Sequence, residues 1–473
     1  MILLAELALP HGTILLTLAI IFGLYMAWSI GANDVANAMG TSVGSGALTL
    51  KKAVIIAAIM ELAGAVFLGV HVTETVRKGI FDPQAFQPLQ LALGFLAALL
   101  AAALWLQVAT FFGWPVSTTH SIVGAIVGVG IVIGGTSVIH WDVVISIVLS
   151  WVTSPLCGGI LAFGIFRLIQ WKIINRKNPL REAYVWIPVL VFYVGFILAM
   201  VVVFKGLKNL GLNFKLPQAL LISTAFGLVL SGFAYAWISK LRVQHERERK
   251  ERGIELTGED EEGIPFVRKN DPEQKVEMRP ALVAGSELPA KRWEYRRHFE
   301  FEKVEAMFCG MLVLSACFLA FAHGANDVAN SIGPLAAVIE LARTGAVAAK
   351  SQVPLWILVL GGAGIVLGLA TWGYKVIETI GKKITQLTPS RGFAANIAAA
   401  TTIVLASRMG FPISTTHVLV GCVLGIGLAR GIENLNLRMI RDIAISWLVT
   451  IPAGAGLAAV FYWMLNAWLG GAA

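Results

Sequence analysis

The chain has 473 residues, of which 57% are hydrophobic and only 14% charged, and it carries a net charge of +9. A soluble domain is about 25% charged, so this composition excludes ordinary water-soluble classes. The basic excess gathers in loops between apolar runs, which is the topological bias of membrane proteins and requires no nucleic acid.

Twelve apolar segments follow in chain order, at about 12–40, 52–76, 88–112, 114–136, 142–170, 184–205, 217–240, 303–332, 353–380, 393–409, 411–430 and 441–467. Several exceed the roughly 20 residues that cross a bilayer. The first lacks a short apolar core followed by a cleavage site and reads as a mature span. Backbone polar groups find no water in hydrocarbon, so these segments are expected to be helical. The four cysteines, Cys157, Cys309, Cys317 and Cys422, lie within apolar runs without metal-ligand spacing and read as packing residues.

Between 241 and 302 the composition turns polar, opening Lys-Leu-Arg-Val-Gln-His-Glu-Arg and closing Lys-Arg-Trp-Glu-Tyr-Arg-Arg. This stretch reads as a solvated loop, helical near its ends and mobile around 253–271. The basic residues at its ends place it in the cytoplasm. Seven segments precede it and five follow, so both termini are expected on the outer face. Lys51, Lys52, Lys172, Arg176, Lys177, Arg181, Lys382, Lys383, Arg391, Arg430, Arg438 and Arg441 agree with that orientation; Arg77, Lys78, Lys205, Lys208 and Lys215 run against it.

The chain repeats itself. Gly31-Ala32-Asn33-Asp34-Val35-Ala36-Asn37 recurs as Gly324-Ala325-Asn326-Asp327-Val328-Ala329-Asn330. Pro115-Val116-Ser117-Thr118-Thr119-His120 recurs as Pro412-Ile413-Ser414-Thr415-Thr416-His417, and Gly124 with Gly128 matches Gly421 with Gly425. Trp151 with Pro155 is echoed by Trp447 with Pro452. The expected organisation is a first repeat over 1–170, two linking helices over 171–240, the polar loop over 241–302 and a second repeat over 303–473. Seven crossings between the repeat starts make the second copy inverted, an arrangement that puts binding sites near the midplane between repeats. The fold class expected is an all-α polytopic membrane protein with two inverted repeats and broken helices; 114–136 and 411–430 either span or re-enter as hairpins.

Asp34 and Asp327 stand out because a carboxylate in the apolar region costs a few kcal/mol and needs a partner or a role. Each is flanked by Asn33 and Asn37, or by Asn326 and Asn330, and the residue three positions on lies on much the same helical face. Gly31 and Gly324 are positions where a helix can break. Carboxylate, amide and freed carbonyl oxygens together make an all-oxygen site for a hard cation such as Na⁺. A polar cluster that merely joins two helices is the bland alternative, and the duplication argues against it.

Pro tolerates a helix start. The hydroxyls of Ser117, Thr118, Thr119, Ser414, Thr415 and Thr416, with the N–H groups of the same first turns, form anion receptors at the positive helix ends. Two such turns could hold one tetrahedral oxyanion between them; ordinary N-capping is the alternative. Thr110 and Ser407 are equivalent under the repeat and join this set, while Gln107 aligns with Val404 and is the weaker candidate. His120 and His417 are either proton carriers or structural. Glu61, a lone acid opposite Gly361 or a neighbour, suits an unpaired coupling or gating role. Ser117 and His120 are three apart and duplicated, which suits binding more than nucleophilic catalysis, so no enzyme activity and no cofactor beyond a coupling ion are expected.

On these residues the chain resembles the inorganic phosphate transporter family of sodium- or proton-coupled phosphate symporters. Gly44-Ser45-Gly46, Thr49-Leu50-Lys51 and the 73–79 stretch also look like that family's first half, and Thr388-Pro389-Ser390-Arg391-Gly392-Phe393 looks like its second. The resemblance implies cation-driven phosphate uptake, Asp residues on the ions, the Ser-Thr-Thr turns on phosphate and a homodimer in the plasma membrane. It also implies a transport role for Glu61. Asn396 departs from the pattern, standing where animal members carry an acid. Of the two coupling ions the residues favour Na⁺, since each Asn-Asp-x-x-Asn cluster supplies more neutral oxygens than a proton carrier needs. Proton coupling, a metal–phosphate substrate and sulfate are the alternatives.

Overall fold

A computed structural model describes residues 7–68, 80–81, 85–204, 214–251, 289–346, 353–374, 376, 387–409, 413–431, 435 and 437–470. Within them lie twelve α-helices, one for each apolar segment: α1 Gly12–Gly44, α2 Leu50–Leu68, α3 Pro88–Phe111, α4 Thr118–Gly134, α5 Trp141–Ile169, α6 Pro179–Phe204, α7 Leu216–Glu251, α8 Pro289–Thr344, α9 Leu355–Trp372, α10 Pro389–Arg408, α11 Thr415–Arg430 and α12 Leu437–Leu469. Eight described helices are long and apolar enough to cross a membrane, and α4 and α11 are shorter apolar helices. Large apolar side chains such as Leu221, Phe233, Leu448 and Trp463 face outward, the arrangement a hydrocarbon solvent permits.

The polar stretch between the halves is helical at both ends. Helix α7 runs on to Glu251 and α8 begins at Pro289. Arg242 with Glu246 and Arg247 with Glu251 pair one turn apart at 2.9 Å, and Lys303 pairs with Glu248 to join α7 to α8. The segments 73–79 and 253–271, and Pro412, lie outside the described residues. All four cysteines are free; Cys422 is buried, whereas Cys157 is exposed and does not pack in the core.

The signature glycines do not break their helices. Helices α1 and α8 run without interruption through Gly31 and Gly324. Glycine is needed there for close approach: a Cβ on Gly31 would lie 1.9 Å from the Ile365 carbonyl oxygen on α9, and one on Gly324 would lie 2.2 Å from the Glu61 carbonyl oxygen on α2. Each crossing is closed by a second glycine from the other side, Gly368 against the Trp28 carbonyl and Gly64 against the Phe321 carbonyl. Close backbone approach through small residues is how helices associate without a hydrophobic drive in lipid. The interruptions fall instead between α3 and α4 and between α10 and α11. The repeats interlock, since α5 packs on α11 and α12 on α4. Buried Glu305 of α8 accepts from the Ser390 N–H and hydroxyl (2.8 and 2.6 Å) and from Thr388 (3.0 Å), capping α10.

A buried cluster where the two signatures meet

Helices α4 and α11 begin at matching turns. Ser117 caps α4 by accepting from the His120 N–H at 3.1 Å, and Ser414 caps α11 by accepting from the His417 N–H at 3.2 Å. Pro115 therefore stands two residues before the cap, not at the first helical position. The turns are stitched to each other reciprocally: Thr119 donates to the Ile413 carbonyl at 3.1 Å, and Thr416 donates to the Val116 carbonyl at 3.3 Å. All six hydroxyl residues of the two turns are buried.

The signatures reach these turns crosswise. Asn37 of the first half donates to Thr416 at 2.8 Å, and Asn330 of the second half donates to Thr118 and Thr119 at 3.3 and 3.2 Å. Asp34 accepts from Asn37 (3.3 Å) and Thr416 (3.2 Å). Asp327 accepts from Asn326 (2.8 Å), Asn330 (3.5 Å) and Thr415 (2.8 Å). Asn33 donates to Thr110 (2.9 Å) and to the Trp114 carbonyl (3.1 Å), and Asn326 donates to the Ile413 carbonyl (3.1 Å). The Asn side chains thus spend their N–H groups on the turns. Asn33 Oδ1, Asn37 Oδ1, Asn330 Oδ1 and Asp34 Oδ2 are left buried without a hydrogen-bond donor among the described residues. Buried acceptors of that kind are costly unless something electropositive meets them.

The two aspartates belong to one cluster, not to two separate sites. One ligand atom from each of Asp34, His323 and Asp327 lies within 4.8 Å of the others. His323 is the residue that reading the motifs missed. Its Nδ1 lies 2.7 and 2.8 Å from the two Glu61 oxygens. Its Nε2 lies 2.7 Å from Asp327 and 3.7 Å from Asp34. The signal was present: His323 immediately precedes the second signature where Ile30 precedes the first. Glu61 gains its role through this imidazole. The symmetric glycine contacts also identify its counterpart as Ile365, four positions beyond Gly361.

Gln107 Oε1 accepts from the Tyr25 hydroxyl, and among the described residues Gln107 bonds none of the other candidates. The Ser407 side chain lies outside the described residues. Asn396 is buried and accepts from Thr41 at 2.9 Å. His120 stacks on Trp151 and His417 on Trp447, with ring centroids 3.6 and 3.4 Å apart, and the two imidazoles meet edge to face at 4.2 Å. His120 therefore meets Ser117 through its backbone N–H, while its ring lies tilted against Trp151.

The model of the phosphate transporter family matches residues 30–458. The inorganic phosphate transporter 2-1, chloroplastic, of Arabidopsis thaliana is 43% identical over 451 residues, covering 94% of this chain and 71% of that protein. A solved structure of a sodium-dependent phosphate transporter is 40% identical and superposes with a TM-score of 0.79, covering 96% of this chain and 99% of that one. The family model spans both signatures, both hydroxyl turns, ten helices in full and parts of α1 and α12, so this multi-pass membrane protein belongs to the phosphate transporter family.

Proposed function

We propose that the chain imports inorganic phosphate together with Na⁺ by alternating access. The observation that carries this reading is the set of four buried, undonated oxygens on Asn33, Asn37, Asn330 and Asp34 beside the two hydroxyl-lined helix starts. Hard cations take such oxygens. Asn33, Asp34, Asn37, Asn326, Asp327 and Asn330 would hold Na⁺, and Ser117, Thr118, Thr119, Ser414, Thr415, Thr416 and Thr110 would face the phosphate. The shared atoms supply the coupling. Thr416 bonds Asp34 and Thr415 bonds Asp327, so a cation on either carboxylate reorients a hydroxyl of the anion turn. The solved relative's sodium dependence supports the choice of ion.

In this reading the two inverted repeats rock against each other in the plasma membrane, as a homodimer, with the central loop cytoplasmic and both termini outside. The α3–α4 and α10–α11 turns meet each other, which suits a pair of hairpins. If each pair counts as one hairpin, the number of crossings between the repeats stays odd and the inversion is preserved.

Proton coupling is the second reading, favoured by His323 between Glu61 and Asp327. A neutral imidazole donates through one nitrogen only, so in this second reading the passenger is a proton bound within the group. Labelled-phosphate uptake into proteoliposomes under an imposed Na⁺ gradient, set against an imposed H⁺ gradient, separates the two. Na⁺-driven accumulation resisting excess sulfate is the expected outcome; uptake indifferent to Na⁺ contradicts it.

A further inference from the structure

We infer that the end of α5 carries a binding site for the headgroup of an anionic phospholipid. After Ile169 the helix widens into a π turn, Gln170–Ile174, a deformation that recurs at functional sites. A groove of about 580 Å³ opens there, lined by Arg167, Arg176, Trp171, Gln170, Asn175 and Leu168. The 164–181 stretch contains five cations and no carboxylate. Among the described residues no carboxylate comes within ion-pair distance of Arg167, Lys172 or Arg176. These cations rest on aromatic faces instead: Lys172 Nζ lies 4.1 Å from the Trp171 ring and 5.0 Å from Trp186, Arg176 Cζ 5.8 Å from Trp171, and Arg167 Cζ 5.5 Å from Phe163. A helix ends here at its carbonyl end, so an anion would be held by side chains and not by the helix dipole.

The repeat supplies the control. Trp171 and Trp468 occupy matching positions at the ends of α5 and α12 and are 60% and 63% exposed, as interfacial tryptophans are. Arg167 is matched by Met464 and Lys172 by Leu469. The aromatic anchor is therefore common to both helix ends, while the cations belong to one. That end shares its face with the polar end of α7, since Tyr184 and His245 bond at 2.9 Å. Basic pockets at that level between helices recognise acidic headgroups, and an exposed Trp beside apolar Leu168 offers acyl chains a wall that free phosphate cannot use.

The test compares thermal unfolding of the detergent-purified full chain with phosphatidylglycerol, cardiolipin, phosphatidylcholine or inorganic phosphate added. Binding to the folded state raises the midpoint by mass action. The anionic lipids are expected to raise it above phosphatidylcholine, R167Q/R176Q to lose most of that gain, and K51Q/K52Q, which removes the same charge elsewhere, to keep it. An unchanged gain in R167Q/R176Q, an equal loss in K51Q/K52Q, or a response to inorganic phosphate alone that R167Q/R176Q abolishes would each overturn the assignment. Native mass spectrometry of the wild type stands independent of whether the variants fold: phosphatidylglycerol retained no better than phosphatidylcholine overturns it as well.

Discussion

The two crossings built on the signature glycines are the same backbone device with different contents. At one, Gly31 and Gly368 let α1 lie against α9; at the other, Gly324 and Gly64 let α8 lie against α2. The side chains beside the first crossing are Ile30 and Ile365, both fully buried, and beside the second they are His323 and Glu61, equally buried. Packing therefore demands no charge at this position, because the chain itself builds the crossing from isoleucine. The buried His323–Glu61 pair at the second crossing brings an imidazole against Asp327 and Asp34. Symmetry makes the paired hydroxyl turns, and its local failure places that imidazole beside the two aspartates.

The largest expected effect comes from the aspartates that both crossings serve. Asp34→Asn and Asp327→Asn each should abolish coupled phosphate uptake in proteoliposomes while the protein still purifies as a single species; wild-type uptake by either would reduce the cluster to a helix joint. Next comes His323→Ala, which strands Glu61 in a buried site. Removing one partner of a buried pair costs about 3–5 kcal/mol, so its unfolding midpoint should fall well below that of the wild type. The double variant E61I/H323I copies the other crossing and should recover that stability without recovering uptake. Recovery of both would show that the asymmetry is incidental.

Gly31→Ala and Gly324→Ala should each cost at least the upper end of the roughly 1–3 kcal/mol range for overpacking, because the atom met is a backbone carbonyl. The two losses should be similar, since the carbonyl each new Cβ meets is at nearly the same distance; denaturation of the purified variants checks this. The smallest effect is expected from Ile365→Val, about 0.5–1.5 kcal/mol, with uptake kinetics unchanged.

The number and order of helices could be read from hydropathy, because hydrocarbon forces every apolar run into the same secondary structure. The reciprocal turns were legible too, since duplication carries through identical residues such as Ser117 and Ser414. Helix continuity through Gly31 and Gly324 was not legible: the same glycine serves a break or a close approach, and only the neighbouring helix decides which. The convergence of Asp34 and Asp327 was hidden for a similar reason, as identical motifs say nothing of the distance between them. His323 lay in plain view but outside the repeated seven residues, where identity was the signal and a difference carried the chemistry. Gln107 stands out by proximity in sequence; its Oε1 accepts from the Tyr25 hydroxyl, a contact that leaves the amide N–H groups an anion would need.

The central claim is that the cation cluster and the anion turns are one thermodynamic unit, joined through Thr415 and Thr416. Phosphate affinity of the purified protein, measured across a series of Na⁺ concentrations at constant ionic strength, tests it most directly. Tighter phosphate binding with rising Na⁺, matched by an equal tightening of Na⁺ by phosphate as linkage requires, is the predicted result; a phosphate affinity independent of Na⁺ would contradict it.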